Sequence, residues 1–188
     1  MNTPKYPAFF GYGSLVNRAT HDYALATPAR LKGWRRIWRH SSQRPLAYLS
    51  AEPAAGAEID GLIAAVPDND WATLDLREAA YQRLPLAKDS LVMAPDWAEA
   101  IAIYSVDQAA NAPPLPILLS YLDVVLQGFL KEFGPDGPSR FFASTTGWGP
   151  IHDDRALPRY PRHQALAPTE MALVDSLIAA HGLSRHQA

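Results

Sequence analysis

The sequence predicts an α+β fold built around a curved, mostly antiparallel sheet. Segments with strand character cluster in the first half of the chain, and helical segments follow irregularly instead of alternating with the strands. With 188 residues, the chain is long enough to bury a core without disulfides. We expect one domain over residues 1–188, in which residues 137–188 form a C-terminal loop and helix extension packed on the rest.

The strands of the first half are predicted from alternating polar and apolar residues and from the turn residues between them. These strands are residues 8–10, 31–40, 46–50 and 59–66. In the second strand, Trp34, Arg36 and Trp38 share one face. A short helix is expected over residues 18–26, and residues 52–56, with proline and glycine, are expected to form a turn.

A further helix is predicted from Trp71 to about Ala80. The Asp and Asn side chains of residues 68–70 can cap its N-terminus. Strands are expected next, near residues 82–88 and 100–106.

A proline-rich link at residues 112–116 separates these strands from a long helix. Apolar residues at three- and four-residue spacing over residues 118–129 predict this helix, which Gly134 should end. Residues 137–168 lack a sustained period and are expected to form an ordered loop. A last helix is predicted over residues 169–180.

The composition excludes several classes of protein. The chain has no cysteine and therefore no disulfide, thiol nucleophile or thiolate-bound metal. It has no apolar run long enough to span a bilayer and no apolar signal core at its start, so we expect a cytoplasmic protein. A net charge of -2 gives no general attraction to nucleic acid or to anionic lipid.

The most informative segment is an apolar strand end that runs into Gly-Tyr-Gly-Ser-Leu at residues 11–15. Glycine lets a backbone approach a ligand closely, and a helix that begins near Ser14 would direct its N–H groups at a bound anion. The segment is therefore interpreted as a recognition loop for a small molecule with a carboxylate, phosphate or carbonyl group.

The second informative segment is the predicted helix end that carries Glu78. Few polar residues adjoin Glu78 in sequence, and a carboxylate partly removed from water has a raised pKa. Such a carboxylate suits general acid–base catalysis. The alternative is a structural role, in which Glu78 pairs with Arg77 or Arg83 or simply faces water.

These segments together resemble a known family. The turn Phe-Gly-Tyr-Gly-Ser-Leu at residues 10–15, the strand Leu-Lys-Gly-Trp-Arg-Arg at 31–36, Gly61, and Leu-Asp-Leu-Arg-Glu at 74–78 with Tyr81 occur in this order. In combination they resemble the gamma-glutamylcyclotransferase-like superfamily, which includes the ChaC-type enzymes. The resemblance covers roughly residues 8–130.

The resemblance implies a small β-barrel flanked by helices, in which the glycine turn and Glu78 meet at one pocket. It implies that Glu78 is the catalytic acid/base. The substrate-binding residues that it implies are Tyr12, Gly13, Ser14, Leu15, Tyr81 and Tyr121. Mammalian-type cyclotransferases carry Asn at position 15 and Gly at position 79, where this chain has Leu15 and Ala79, which favours the ChaC-like or a related bacterial branch.

The chemistry implied is the cyclisation of a γ-glutamyl amide to 5-oxoproline. The α-amine closes a five-membered ring on the γ-carbonyl and releases an amine or amino acid, so positioning dominates the catalysis. The expected partner is therefore a small-molecule γ-glutamyl substrate. No metal or cofactor is expected, and neither is a nucleic acid or a membrane.

Three other interpretations have less support. A dinucleotide site would need a third glycine where Val16 stands. A serine hydrolase is disfavoured because Ser14 is not in a Gly-x-Ser-x-Gly elbow. A metal site at residues 152–154 is disfavoured because consecutive loop residues do not converge on one ion.

Residues 155–162, with three arginines and Tyr160, either clamp their loop or line the pocket entrance.

A basic cluster is the best case for nucleic-acid binding, with Trp34 and Trp38 among its residues. Its members are Arg30, Lys32, Arg35, Arg36, Arg39, His40 and Arg44. Against this, strand alternation allows the tryptophans to be core while the arginines on the other face are solvated or ion-paired. A non-catalytic binding or interaction protein on the same fold is the remaining alternative.

Overall fold

The computed structural model describes residues 4–40, 45–106 and 113–187, and it confirms the α+β class. The four α-helices of this part of the chain are α1 (Trp71–Arg77), α2 (Leu119–Phe133), α3 (Gly137–Ala143) and α4 (Pro168–Ala180). The strands are β1 (Tyr6–Gly11), β2 (Ala26–Arg39), β3 (Tyr48–Ala65), β4 (Gln82–Pro85), β5 (Leu91–Val92), β6 (Ala98–Ser105), β7 (Ile117–Leu118), β8 (Thr145–Thr146), β9 (Ile151–Asp153) and β10 (Arg185–Gln187).

Most strands belong to one curled sheet with the order β4-β6-β1-β3-β2-β5, and β8 pairs with β2. The pairings β1–β3, β2–β3, β2–β5 and β4–β6 are antiparallel, so the expected antiparallel character is confirmed. The pairings β1–β6 and β2–β8 are parallel. Because β4 and β5 do not pair with each other among the described residues, the predicted small barrel takes the form of a curled half-barrel.

The turn expected at residues 52–56 is wrong, because β3 continues through it. Lys32 pairs with Glu58 and Trp34 with Pro53, so a bulge in β3 lies opposite Gly33. Gly33 and Gly56 have φ values of 76° and 77°, which glycine adopts without strain. The proline and glycine that suggest a chain reversal therefore mark a bulge within a single long strand.

The helix expected over residues 18–26 is also wrong. This segment holds a single 3₁₀ turn, Arg18–Thr20, and β2 begins at Ala26. The Asn17 side chain accepts a hydrogen bond from the Ala19 amide at 3.1 Å, and the Thr20 hydroxyl donates to the Asn17 carbonyl at 2.9 Å. These local bonds favour a tight turn over a continuing helix.

The helix that leads to Glu78 begins as expected. Asp70 is its N-cap, and the Asp70 side chain accepts a hydrogen bond from the Thr73 amide at 3.1 Å. The helix α1 ends at Arg77, three residues before the expected end at Ala80, so Glu78 is its C-cap.

The second half is more regular than the sequence predicts. The helix α2 is confirmed and ends at Gly134, whose φ is 74°. Residues 137–168, expected to be a loop, contain α3 because Phe141 and Phe142 bury their rings in the core. A small parallel sheet of β10, β9 and β7 was not predicted either.

Two sequence expectations fall outside the described residues, namely Ala112 of the proline-rich link and Arg44 of the basic cluster. Within the described ranges, no helix combines the length and the apolar character that crossing a bilayer requires.

Candidate active site

The glycine turn lies at the end of β1, in the middle of the curled sheet. Gly13 precedes a 3₁₀ turn over Ser14–Val16, and the Val16 amide donates to the Gly13 carbonyl at 3.0 Å. The amides of Ser14 and Leu15 come before this first backbone hydrogen bond, so the turn itself does not use them.

The glycines of this region are explained by close contacts. A Cβ at Gly11 would lie 2.0 Å from Cδ2 of Leu15, and one at Gly13 would lie 2.7 Å from the Tyr121 hydroxyl oxygen. A Cβ at Gly61, on the neighbouring strand β3, would lie 2.5 Å from the Gly11 carbonyl oxygen. Any larger residue would push the turn away from its neighbours.

The buried side chain of Arg36 hydrogen-bonds to the glycine turn. Its side chain is 0% exposed; Nε donates to the Tyr12 carbonyl at 2.8 Å, Nη1 donates to Ser144 Oγ at 2.7 Å, and Nη2 donates to the Asp60 carbonyl. Burial lowers the pKa of this guanidinium to about 9. The sequence interpretation missed this role, although strand alternation already placed Arg36 on the face of the buried Trp38.

Glu78 faces the turn from the C-terminus of α1. Its amide donates to the Leu74 carbonyl at 3.0 Å, and its carbonyl accepts from the Tyr81 amide at 2.7 Å. The carboxylate lies 3.5 Å from Arg77 Nε, and the side chain is 28% exposed. Burial raises the pKa of Glu78, while the charges of Arg77 and Arg162 oppose that rise. Ion pairing and a raised pKa therefore coexist at this carboxylate.

The turn and Glu78 line a common cavity of about 190 Å³. All seven residues singled out from the sequence border it, which are Tyr12, Gly13, Ser14, Leu15, Glu78, Tyr81 and Tyr121. Leu49 and Tyr104 border it too, and no sequence pattern singles them out. Tyr104 lies beside the turn because β6 pairs with β1, and Leu49 pairs with Trp38 of β2 and accepts a hydrogen bond from the Tyr81 hydroxyl.

Tyrosine hydroxyls form much of the polar wall. The Tyr12 hydroxyl donates to the Tyr104 carbonyl at 2.6 Å, and the Tyr81 hydroxyl donates to the Leu49 carbonyl at 3.1 Å. Burial is the main reason that the pKa values of Tyr12 and Tyr121 are raised. Both phenols are therefore neutral at physiological pH and can donate hydrogen bonds.

The segment after β9 completes the cavity with Tyr160 and Arg162. Arg155 holds this segment in place through Asp123 and Asp175, each at 2.7 Å. Both roles considered for residues 155–162 therefore occur, but on different residues.

Asp154 also fixes this segment to the start of α2. Its carboxylate accepts from the Ser120 amide at 2.8 Å, the Ser120 hydroxyl at 2.6 Å and the Arg159 amide at 2.9 Å. The Asp residues of segment 152–154 are thus used for capping and ion pairing, since Asp153 lies 2.6 Å from Arg185 Nη2. Within the described part of the chain, no group of three His, Cys, Asp or Glu residues could hold a metal ion.

Arginines of the basic cluster on β2 pair with carboxylates of the neighbouring strand β3. Arg35 and Arg39 both pair with Glu52, at 2.6 and 2.5 Å. Arg30 pairs with Asp60 at 2.8 Å. With Arg36 buried, these four charges do not form an exposed basic patch.

No protein-family model and no curated protein matches the chain. The structure is similar to that of an uncharacterised protein from Homo sapiens, with a TM-score of 0.55 and 14% identity over 89% of this chain and 97% of that chain. A solved gamma-glutamyl cyclotransferase gives a TM-score of 0.54 and 14% identity over 92% of this chain and 99% of that chain.

YkqA from Bacillus subtilis gives a TM-score of 0.52 and 18% identity over 77% of this chain and 56% of that chain. The TM-scores of 0.55, 0.54 and 0.52 establish similarity of fold alone, since the identities are only 14–18%. The chain has a gamma-glutamyl cyclotransferase-like fold, as the resemblance in the sequence predicts.

Proposed function

We propose that this protein is a gamma-glutamylcyclotransferase-type enzyme, which cyclises a γ-glutamyl amide to 5-oxoproline and releases an amine or amino acid. The observation that carries the proposal is the half-buried carboxylate of Glu78, which shares a cavity of about 190 Å³ with the Gly13 turn. A carboxylate of raised pKa opposite backbone amides suits a reaction that moves a proton while an oxyanion develops.

Glu78 serves each proton transfer in the proposed reaction. It takes a proton from the substrate ammonium, and the neutral amine then attacks the γ-carbonyl carbon to form the ring C–N bond. The protonated Glu78 gives that proton to the leaving nitrogen as its C–N bond breaks, and the regenerated carboxylate takes the second proton from the ring nitrogen and passes it to the released amine. The raised pKa of Glu78 supports these transfers, because a stronger carboxylate base takes up a proton more readily.

The turn contributes positioning and charge stabilisation. The Ser14 and Leu15 amides lie at the cavity wall, and Arg36 fixes the carbonyl of the preceding residue Tyr12 at 2.8 Å. Donors held in this way do not reorganise as negative charge develops on the substrate oxygen. The neutral Tyr12 and Tyr121 hydroxyls are suited to bind polar groups of the γ-glutamyl moiety.

The decisive experiment measures 5-oxoproline released from a panel of glutathione, γ-glutamyl amino acids and γ-glutamyl amines. We expect turnover of at least one compound, and a loss of roughly 10²–10⁴-fold in kcat for Glu78→Gln, the size typical of a lost general acid/base. Glu99→Gln, the same substitution at an exposed residue of β6 that does not border the cavity, is the control and should stay near wild type. Absence of product from every compound, or full activity of Glu78→Gln, would overturn the proposal.

A non-catalytic binding protein is the second candidate. It is favoured by the 3.5 Å contact between Arg77 and Glu78, which is compatible with a purely structural ion pair. Such a protein would be stabilised against heat by γ-glutamyl compounds without converting them. For either function we propose a cytoplasmic location, with which a chain free of cysteine is compatible.

A further inference from the structure

A second cavity of about 240 Å³ adjoins the Glu78 cavity. The two share four wall residues, which are Leu49, Tyr81, Tyr121 and Tyr160. We call the second cavity the aromatic cleft. The side chains of Tyr81, Tyr121 and Tyr160 lie between the two spaces. A molecule whose reacting carbon lies near Glu78 therefore reaches the aromatic cleft by passing these three side chains.

The wall that belongs to the aromatic cleft alone is apolar. It consists of Trp38, Leu46, Ala47, Tyr48 and Leu118. None of the described residues that line the aromatic cleft carries a formal charge, whereas Arg77, Glu78 and Arg162 border the first cavity. The two compartments therefore favour ligand parts of different polarity.

Two residues of the aromatic cleft each have a buried polar atom without a hydrogen-bond partner among the described residues. These atoms are the indole N–H of Trp38 and the hydroxyl of Tyr160. Trp38 is 2% exposed. An indole N–H can only donate, so it disfavours an ammonium group and favours an uncharged ligand or one that presents an acceptor.

We propose that the aromatic cleft binds the leaving group of the γ-glutamyl substrate, and that this leaving group is an uncharged alkyl or aromatic amine. The inference rests on the proposed function, since it assigns the second half of the same substrate. It follows from the adjacency of the two cavities and from the uncharged wall of the aromatic cleft.

A matched pair of substrates tests the charge preference. γ-Glutamyl-hexylamide and γ-glutamyl-(5-aminopentyl)amide have leaving groups of equal length, which end in a methyl group and an ammonium group respectively. We expect kcat/KM to be at least about tenfold higher for the hexylamide, because the cleft offers no anion to compensate a buried charge. Equal values, or a preference for the ammonium compound, would overturn the inference.

Filling the cleft tests its location. Ala47 borders the aromatic cleft but not the Glu78 cavity, so Ala47→Trp should lower kcat/KM for the hexylamide by about tenfold and leave γ-glutamyl-methylamide within about twofold. Ala172→Trp on the exposed face of α4 is the matched control. If Ala47→Trp does not fold, Leu118→Ala takes its place. In wild type, each methylene that the leaving group buries in the cleft should raise kcat/KM roughly fourfold, and Leu118→Ala should reduce this increase.

A binding measurement separates failure of this inference from failure of the proposed function. Calorimetry with Glu78→Gln, which we expect to bind without turnover, should show tighter binding of the hexylamide than of the aminopentyl amide. If wild type cyclises the methylamide but Glu78→Gln shows no such preference, the cleft assignment fails and the enzyme assignment stands. If no amide is cyclised but the preference in binding is seen, the enzyme assignment fails and the cleft is retained.

Discussion

Arg36 and Glu78 are both charged groups removed from water, but their surroundings differ. The Arg36 guanidinium is fully buried, donates to two backbone carbonyls and to Ser144, and lies 4.7 Å from the centre of the Phe129 ring. The Glu78 side chain is 28% exposed, and its carboxylate lies 3.5 Å from Nε of Arg77. Burial lowers the pKa of the first group and raises that of the second.

The difference shows that a charged side chain removed from water can serve either the fold or the candidate site of the same protein. The hydrogen bonds of Arg36 offset its desolvation and join β2 to the glycine turn, so this charge serves the fold. Glu78 keeps capacity to accept a proton and borders a cavity, which is typical of catalytic groups. Substitution at Arg36 should therefore affect stability, and substitution at Glu78 should affect turnover.

The largest effect is expected for Arg36→Met, which removes the buried charge and leaves the carbonyls of Tyr12 and Asp60 without this donor. We expect the free energy of unfolding to fall by about 3–5 kcal/mol, measured by denaturant titration. Arg35→Met, at the neighbouring exposed ion pair, should cost about 0–1 kcal/mol. Equal effects of the two substitutions would break the comparison.

Glu78→Gln gives the opposite result in the same titration. The pKa of Glu78 is raised in the folded state, so the ionised carboxylate disfavours folding above that pKa, and the penalty disappears below the pKa of the unfolded chain. At pH 7, Glu78→Gln should therefore be at least as stable as wild type. A large loss of stability would show that Glu78 serves the fold, as Arg36 does.

A smaller effect is expected for Gly13→Ala, in the turn to which Arg36 donates and which shares a cavity with Glu78. The added methyl group would lie 2.7 Å from the Tyr121 hydroxyl and 3.1 Å from Leu49 Cδ2, so the turn must move away from the cavity wall. We expect kcat/KM for a γ-glutamyl substrate to fall by about tenfold or more, with about 1–3 kcal/mol lost in stability. Enzyme kinetics and thermal unfolding on the same preparation check both values.

The double variant Gly13→Ala/Tyr121→Phe isolates the contact. Phenylalanine removes the oxygen that the methyl group meets, so the loss in kcat/KM should be smaller than the product of the two single losses. Strict additivity would contradict the contact as the cause.

The smallest effect is expected for Arg162→Gln, measured in the pH profile of kcat/KM. The positive charge of Arg162 lowers the pKa of Glu78, so its removal raises that pKa further. Because Glu78 must be ionised to accept the first proton, the acidic limb of the profile should move to higher pH. Arg159→Gln, in the same segment, should leave the limb in place, and equal shifts in the two variants would contradict the assignment.

The sequence contains much of the fold because the decisive patterns are local. The caps at Asp70 and Gly134 and the apolar stripe of α2 lie within a few residues of the elements that they define. The bulge of β3 could not be predicted, since Pro53 and Gly56 have the same appearance in a turn and the difference lies in the partner strand. The burial of Phe141 and Phe142, which makes residues 137–143 helical, depends on tertiary contacts as well.

The candidate site divides in the same way. The glycine turn and Glu78 stand out within short segments, and the family resemblance brings them together. Tyr104 becomes a neighbour of the turn through the pairing of β6 with β1, and Leu49 borders the cavity only in the folded chain. Arg36 looks like any arginine in a basic strand until its burial is known. The charge of Arg36 is explained by bonds to residues 24 and 108 positions away in the chain.

The parallel pairing of β1 with β6 has a consequence for the order of assembly. It pairs Phe10 with Ile103, and Tyr160 and Arg162 complete the wall of the cavity that Phe10 borders. Pairings between residues so far apart in sequence form slowly. During synthesis a ribosome must deliver at least the first 162 residues before the cavity has its complete wall, so a shorter nascent chain lacks part of the candidate site.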